Sequence, residues 1–283
     1  MKPKIISKMK PKTKAKIKLV TGAMMIVCLL LATVMAGFTD PYSIDLTLRL
    51  QPPGASGISD VSGILGTDHL GRDVFSRMIY GARLSVTIAL ATMLVSLILG
   101  VATGLVAGYF GGIFDNIINF TIETLLAFPG MLLSLAIVSV AGGGIFNAVI
   151  AVSIVSWIGY ARLTRSMVMS FKEREFVVAS HTQGAGHYWV LTRHILSNML
   201  TPIVIYSATN IGSIIMQLAA LSFLGLGVQP PTAEWGAMLN DARGYITVAP
   251  WLTILPSAGL VFMVIGFNLF GEGLAQYFDR RSR

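Results

Sequence analysis

Charge is what this 283-residue sequence has least of: 12% of its residues are Asp, Glu, Lys or Arg, while 54% are hydrophobic. A soluble domain carries roughly twice that charged fraction, so the composition excludes an ordinary water-soluble fold and places the chain in a bilayer. Cysteine is nearly absent. Cys28 stands alone, which excludes an intrachain disulfide and any CxxC metal or redox site, and its position in an apolar run makes it a packing residue. Histidine is scarce as well. His181, His187 and His194 have no Cys or carboxylate at ligand spacing among them, so they read as docking or solvated side chains and no metal site is expected. There is no GxxxxGK[ST], HExxH or GxSxG string, so the chain neither binds ATP through a P-loop nor carries a hydrolase signature. No cofactor is implied, no enzyme activity is expected, and energy for any work must come from a partner.

The net charge of +8 invites a nucleic-acid reading, but eight lysines lie in the first 18 residues and the rest of the chain is close to neutral. Residues 1–18 are therefore a basic tail, too charged to fold alone and suited to the anionic cytoplasmic leaflet of the bilayer. No nucleic-acid partner is expected. The 14 methionines are scattered through apolar stretches, where they fill packing gaps.

Six stretches are long and apolar enough to cross the hydrocarbon, which predicts an all-α integral membrane protein. The first, within 19–39, runs uncharged from Leu19 to Phe38; a signal peptide competes, but the run is longer than the usual apolar region of one, favouring an uncleaved anchor. Residues 40–83 form a Gly-, Pro- and Asp-rich excursion, and its last part offers Thr67 or Asp68 as the N-cap of an amphipathic helix running to Arg83. A core of five further spans over 84–272 follows. Leu84 to Phe110 repeats glycine at 100, 104 and 108, letting another helix approach closely. Asn116 to Val140 contains Pro129 and Glu123, the latter either a functional carboxylate or the partner of Arg162 or Arg165. Ile145 to Ala161 is short. The fifth span opens with Thr201 as cap and Pro202 in the first turn and carries Asn210 and Gln217, amides that need partners in the bundle. A second excursion over 222–250 precedes the sixth span, Trp251 to Gly271, and a polar tail at 273–283.

The stretch from Phe171 to Asn198 is different from its apolar neighbours. Glu173 and Glu175 open a short helix, Gly184-Ala185-Gly186 supplies a turn, and a second short helix should place Tyr188, Leu191 and Ile195 on one face with Trp189 alongside, a docking surface. This stretch resembles the coupling loop of ABC-importer permeases, with Val178-Ala179-Ser180 where a Glu-Ala-Ala triplet belongs, Gly184 in register, and His194-Ile195-Leu196-Ser197-Asn198 at the end. Val178 replaces the glutamate and Ser197 replaces a proline, so a coupling carboxylate must be Glu173 or Glu175 or be absent. The resemblance implies that Glu173, Glu175, Ala179, Gly184, His187, Ile195 and Leu196 meet an ATPase.

A second string, GTDHLGRDVFSR over 66–77, with Thr67, Asp68, Gly71, Arg72 and Asp73, resembles the C-type permease of peptide and nickel ABC importers, and Pro231-Thr232-Ala233-Glu234-Trp235-Gly236 is similar to the same family. The resemblance implies the ABC transmembrane type-1 fold, a second homologous permease subunit, two cytoplasmic ATPases and an extracytoplasmic binding protein. With the basic tail inside, 16 of the 21 Lys and Arg face the cytoplasm, which predicts a multi-pass protein of the cell membrane with both termini cytoplasmic and both excursions outside. The strings from Glu175 to His187 and from Pro231 to Gly236 look more like nickel permeases than peptide permeases, so nickel or a nickel chelate is the expected cargo and short peptides the alternative. A polytopic membrane enzyme would need several ionisable residues clustered in the bundle.

Overall fold

The computed structural model describes residues 11–35, 40–55 and 63–278. Residues 1–10 of the basic tail, the end of the first span at 36–39 and the last five residues, 279–283, lie outside the described residues. Among the described residues everything regular is helical; the extended chain contributes a single isolated bridge between Thr67 and Asp73.

Helix α1, Pro11–Met35, takes Lys12 to Lys18 into the same helix as the first span. The lysines from Lys12 onward are therefore not a separate tail: once the apolar segment nucleates, extending the helix costs little. α1 lies along the last helix, α9 (Trp251–Phe278), with Gly22 against the backbone of Gly266 and Phe270 and Gly273 against Leu19. Cys28 faces outward from this pair instead of packing inside.

Helix α2, Val74–Phe110, fuses the amphipathic piece and the second span into 37 residues. Its N-cap is Asp73, not Thr67 or Asp68: the Asp73 carboxylate accepts from Ser76 N at 2.7 Å and more weakly from Phe75 N at 3.4 Å. The expected close approach is made by α5, Ile145–Lys172. A Cβ on Gly104 would lie 2.6 Å from Ala161 O and from the Thr164 Cβ, and one on Gly108 would lie 2.8 Å from the Val168 Cβ, so bare backbone is what lets the two helices touch. α5 continues eleven residues beyond the expected end at Ala161, carrying Arg162 and Arg165 on the same rod as the apolar span.

The third span is broken. Helices α3 (Gly112–Leu126) and α4 (Gly130–Ala141) meet at 92° around Pro129, which precedes α4 because its ring fixes φ and withholds an N–H from a continuous helix. Among the described residues five helices are thus long and apolar enough to span, six if the bent pair counts as one.

Helix α6 (Glu175–Thr182) is short, and α7 runs without interruption from His187 to Phe223. Here the expectation of a separate short helix followed by a capped fifth span is overturned. Thr201 caps nothing and Pro202 lies inside the helix; a π-helical segment, Val190–Leu196, joins the two parts. Residues 224–250 are less exposed than a soluble excursion: α8, Trp235–Ala242, folds back so that Trp235 lies on Gly81 and Gly259 and donates from its indole N–H to Met78 O at 3.0 Å. The main core joins α1, α2, α5, α7, α8 and α9 through Leu29, Val86, Val152, Ile214, Trp235 and Met263.

Candidate functional site

At one end of the bundle α5 stops at Lys172 and the chain turns into α6. Val177 points back into a small core with Val168, Val190, Ile195 and Met199, which fixes α6 and the start of α7 against the ends of α2 and α5. Tyr109, near the end of α2, bonds His187 Nδ1 through its hydroxyl at 2.7 Å, and Ser180 Oγ meets His194 Nε2 at 3.1 Å across the turn. The rings of Trp189 and Phe176 lie 4.7 and 5.9 Å from His194. The hairpin is therefore braced, with Gly184 in the left-handed region at φ +84° and open space around it.

The face it presents differs from the one expected. Ile195 is fully buried and Leu191 and Leu196 are half-buried, so they hold the hairpin together; Tyr188, Trp189, Phe176 and Val178 are the apolar side chains left outside, with Tyr188 82% exposed. Glu173, Glu175, Ala179, Gly184 and His187 are exposed beside them. Ser180, Gln183 to Gly186 and Trp189 line a groove of about 440 Å³. Phe176 carries no sequence signal as a tip residue, because apolar residues on both faces of so short a helix give no periodicity that separates inside from outside.

At the other end, the 66–77 motif is a buried charge cluster. Asp68 accepts from Arg72 Nε at 2.7 Å and from the Arg72 and Leu70 backbone N–H groups, and Arg77 approaches the same carboxylate at 3.5 Å. Asp241 of α8 balances the pair, 3.7 Å from Arg72 and 3.9 Å from Arg77. Thr67 ties the preceding loop in, donating to Leu48 O and accepting from Gln51 N, while Gly71, at φ +75°, sits where a Cβ would strike the backbone of Asp45. Arg72, Arg77 and Asp68 are thus held out of water, with the half-buried Asp241 completing the charge balance, an arrangement that is costly to break at any of the three buried members. The motif builds a joint between α2 and α8. Next to it, Glu234 is 1% exposed: it caps α8 through Gly236 and Ala237 N–H and accepts from Ser85 Oγ of α2, each at 3.0 Å. Burial pushes its carboxyl above the ordinary value, against the pull of those donors. The placement of Asp241 beside the two arginines and of Glu234 beside Ser85 carries no sequence signal, since those cross-helix partners lie about 150 residues or more away.

Of the polar residues expected inside the bundle, Asn210 is half-buried on α7, and Gln217 reaches no further than Ser213 on its own helix, leaving its Oε1 buried without a partner among the described residues. Glu123 does not pair with Arg162 or Arg165. Arg165 instead grips Asp115 with two short bonds, 2.5 and 2.6 Å.

These features define a multi-pass helical membrane protein with a rigid apolar hairpin at one end and a charge-locked joint at the other, the form of a transport component driven by something outside itself. The family comparison agrees: residues 100–283 match the family described as binding-protein-dependent transport system inner membrane component, and the chain belongs to it. It is 40% identical to a di/tripeptide transport system permease protein of Pseudomonas aeruginosa over 93% of this chain and 88% of that one. It is 39% identical to a nickel transport system permease protein of Escherichia coli over 85% and 84%, and 39% identical to a glutathione transport system permease protein of Shigella flexneri over 93% and 86%. The chain is an ABC-importer permease of the peptide/nickel group with the type-1 membrane fold, and not an enzyme.

Proposed function

We propose that this chain is one of two homologous permease subunits of an importer, that its hairpin at 171–198 faces the cytoplasm, and that two ATPases engage that hairpin while a binding protein delivers cargo to the opposite side. The observation that carries this reading is the apolar tip of Phe176, Val178, Tyr188 and Trp189, braced from behind and continuous with a spanning helix: exposed apolar side chains on a rigid mount are a partner site. Displacement of the tip by a closing ATPase pair moves α7 as a whole. Glu173 and Glu175 flank the tip and supply the carboxylates that Val178 cannot.

Nickel or a nickel chelate is supported by the loop strings that resemble nickel permeases. A short peptide is supported by a different observation, a polar space between α3 and α5 that holds both signs of charge and is described below. The test is uptake by a strain lacking this gene, with radioactive nickel supplied alone or with a small chelator and, separately, dialanine. Loss of nickel uptake with dialanine uptake intact assigns nickel; the reverse assigns peptides. Retention of both, with no co-purification of an ATPase, overturns the permease reading.

A further inference from the structure

A polar space lies between α3 and α5, about 560 Å³ lined by Asp115, Asn116, Asn119, Glu123, Arg162 and Arg165 among others. Asp115, Asn119 and Glu123 recur every four residues and so form a stripe along α3; Arg162 and Arg165 form the facing stripe on α5. The space opens at the end of the bundle that carries the hairpin, because α3 starts two residues after α2 ends and Asp115 is near enough to Lys172 to feel its charge. Glu123 lies eleven residues into α3 and Arg162 ten residues from the end of α5, one residue past the apolar stretch that ends at Ala161. Both lie toward the hairpin end of the bundle and line this polar space.

The four charges are not equivalent. Asp115 and Arg165 cancel one another in a two-bond pair, and Asn119 donates to the same carboxylate at 2.8 Å. Glu123 and Arg162 make no side-chain hydrogen bond or ion pair with any other described residue, and both are exposed to the cavity. Beyond the closed pair, then, one anion and one cation share a single wet space. A bare divalent ion is repelled by Arg162 and finds one unengaged carboxylate, too few ligands to replace its water. A solute with a carboxylate at one end and an ammonium at the other meets a complementary charge at each end.

We propose that this cavity is the inner part of the cargo path and that Arg162 and Glu123 contact the carboxylate and the ammonium of a zwitterionic cargo in transit, an inference that rests on the permease reading. Contacts with hydrated, exposed charges are weak, which suits passage better than retention.

The test uses the complete transporter in proteoliposomes with dialanine as the probe. Arg162→Gln and Glu123→Gln are each expected to lower the maximal dialanine uptake rate about fivefold, the scale of one hydrated charge contact. Arg162→Lys should restore most of it, and binding-protein-stimulated ATP hydrolysis should persist in all three. In a Cys28→Ser background, Arg162→Cys should react with a membrane-impermeant charged thiol reagent, and dialanine turnover should slow that reaction. Unchanged uptake in both Gln variants, or an unreactive cysteine at 162, overturns the proposal. A wild-type complex that moves nickel and not dialanine also overturns it while leaving the permease reading intact. One that moves neither and shows no stimulated ATP hydrolysis removes both.

Discussion

Glu234 is an acid placed where its charged form is poorly solvated, and this has a sign that can be measured. Because its folded pKa is raised, its contribution to stability is full below the ordinary carboxylate range and is lost as pH rises through the folded value. Raising pH from about 5 to about 8 should therefore lower the melting temperature of the purified complex more in the wild type than in Glu234→Gln, which has no charge to bury. Equal slopes would show that the carboxylate is solvated after all. Gly184 gives a second residue-level test. Its left-handed φ strains any other residue by roughly 1–2 kcal/mol, but the space around it is open. Gly184→Ala should lose a little stability and keep transport, whereas Gly184→Arg adds a charge beside the groove and should leave the protein in the membrane with ATP hydrolysis uncoupled from uptake. Indistinguishable behaviour of the two variants would put the whole effect in the backbone. At this scale the sequence was a partial guide: the 66–77 string was visible as a motif, but that Asp73 caps while Thr67 and Asp68 bind the loop and the arginines depends on Leu48, Gln51 and Asp241, which no local pattern announces.

Among the helices, the contact of α2 with α5 is the one that tolerates least. Gly104→Leu should push the two backbones apart and cost roughly 1–3 kcal/mol or more, seen as a large loss of folded protein in detergent, while Gly244→Leu, at a glycine with nothing within 4 Å, should not. Comparable losses in both would mean that the close approach is not limiting. The apolar spans were legible because hydrophobic length alone reports them. Their joints were not. Pro129 is visible in the sequence, yet a proline in a run can bend a helix slightly or break it; the 92° turn is set by how α4 packs on α5. The inward face of the hairpin was misassigned for a related reason: Ile195 belongs with Val177 and Val190 in a core formed by the ends of α2 and α5, and those partners are invisible from within 171–198.

For the molecule as a whole, the proposed orientation makes one clear demand. In a Cys28→Ser background, a membrane-impermeant thiol reagent applied to spheroplasts should label Thr247→Cys, in the loop before α9, and miss Gln183→Cys, in the groove of the hairpin, both positions being exposed; the opposite pattern inverts the protein. What the partner would push on is a single helix of 37 residues, about 55 Å long, and such a rod is an angular ruler as well as a lever. Each residue of α-helix advances the azimuth by about 100°, so the direction in which Trp189 points is counted from the span below. The wider π turn at Val190–Leu196 holds one residue more than an α turn would. It acts as a spare tooth. Deleting the exposed Thr192 should let the segment close to ordinary α-helix with the tip still aimed at its ATPase, and co-purification should survive. Deleting Leu200, where the helix has no slack, should swing the tip by about 100° and lose the partner.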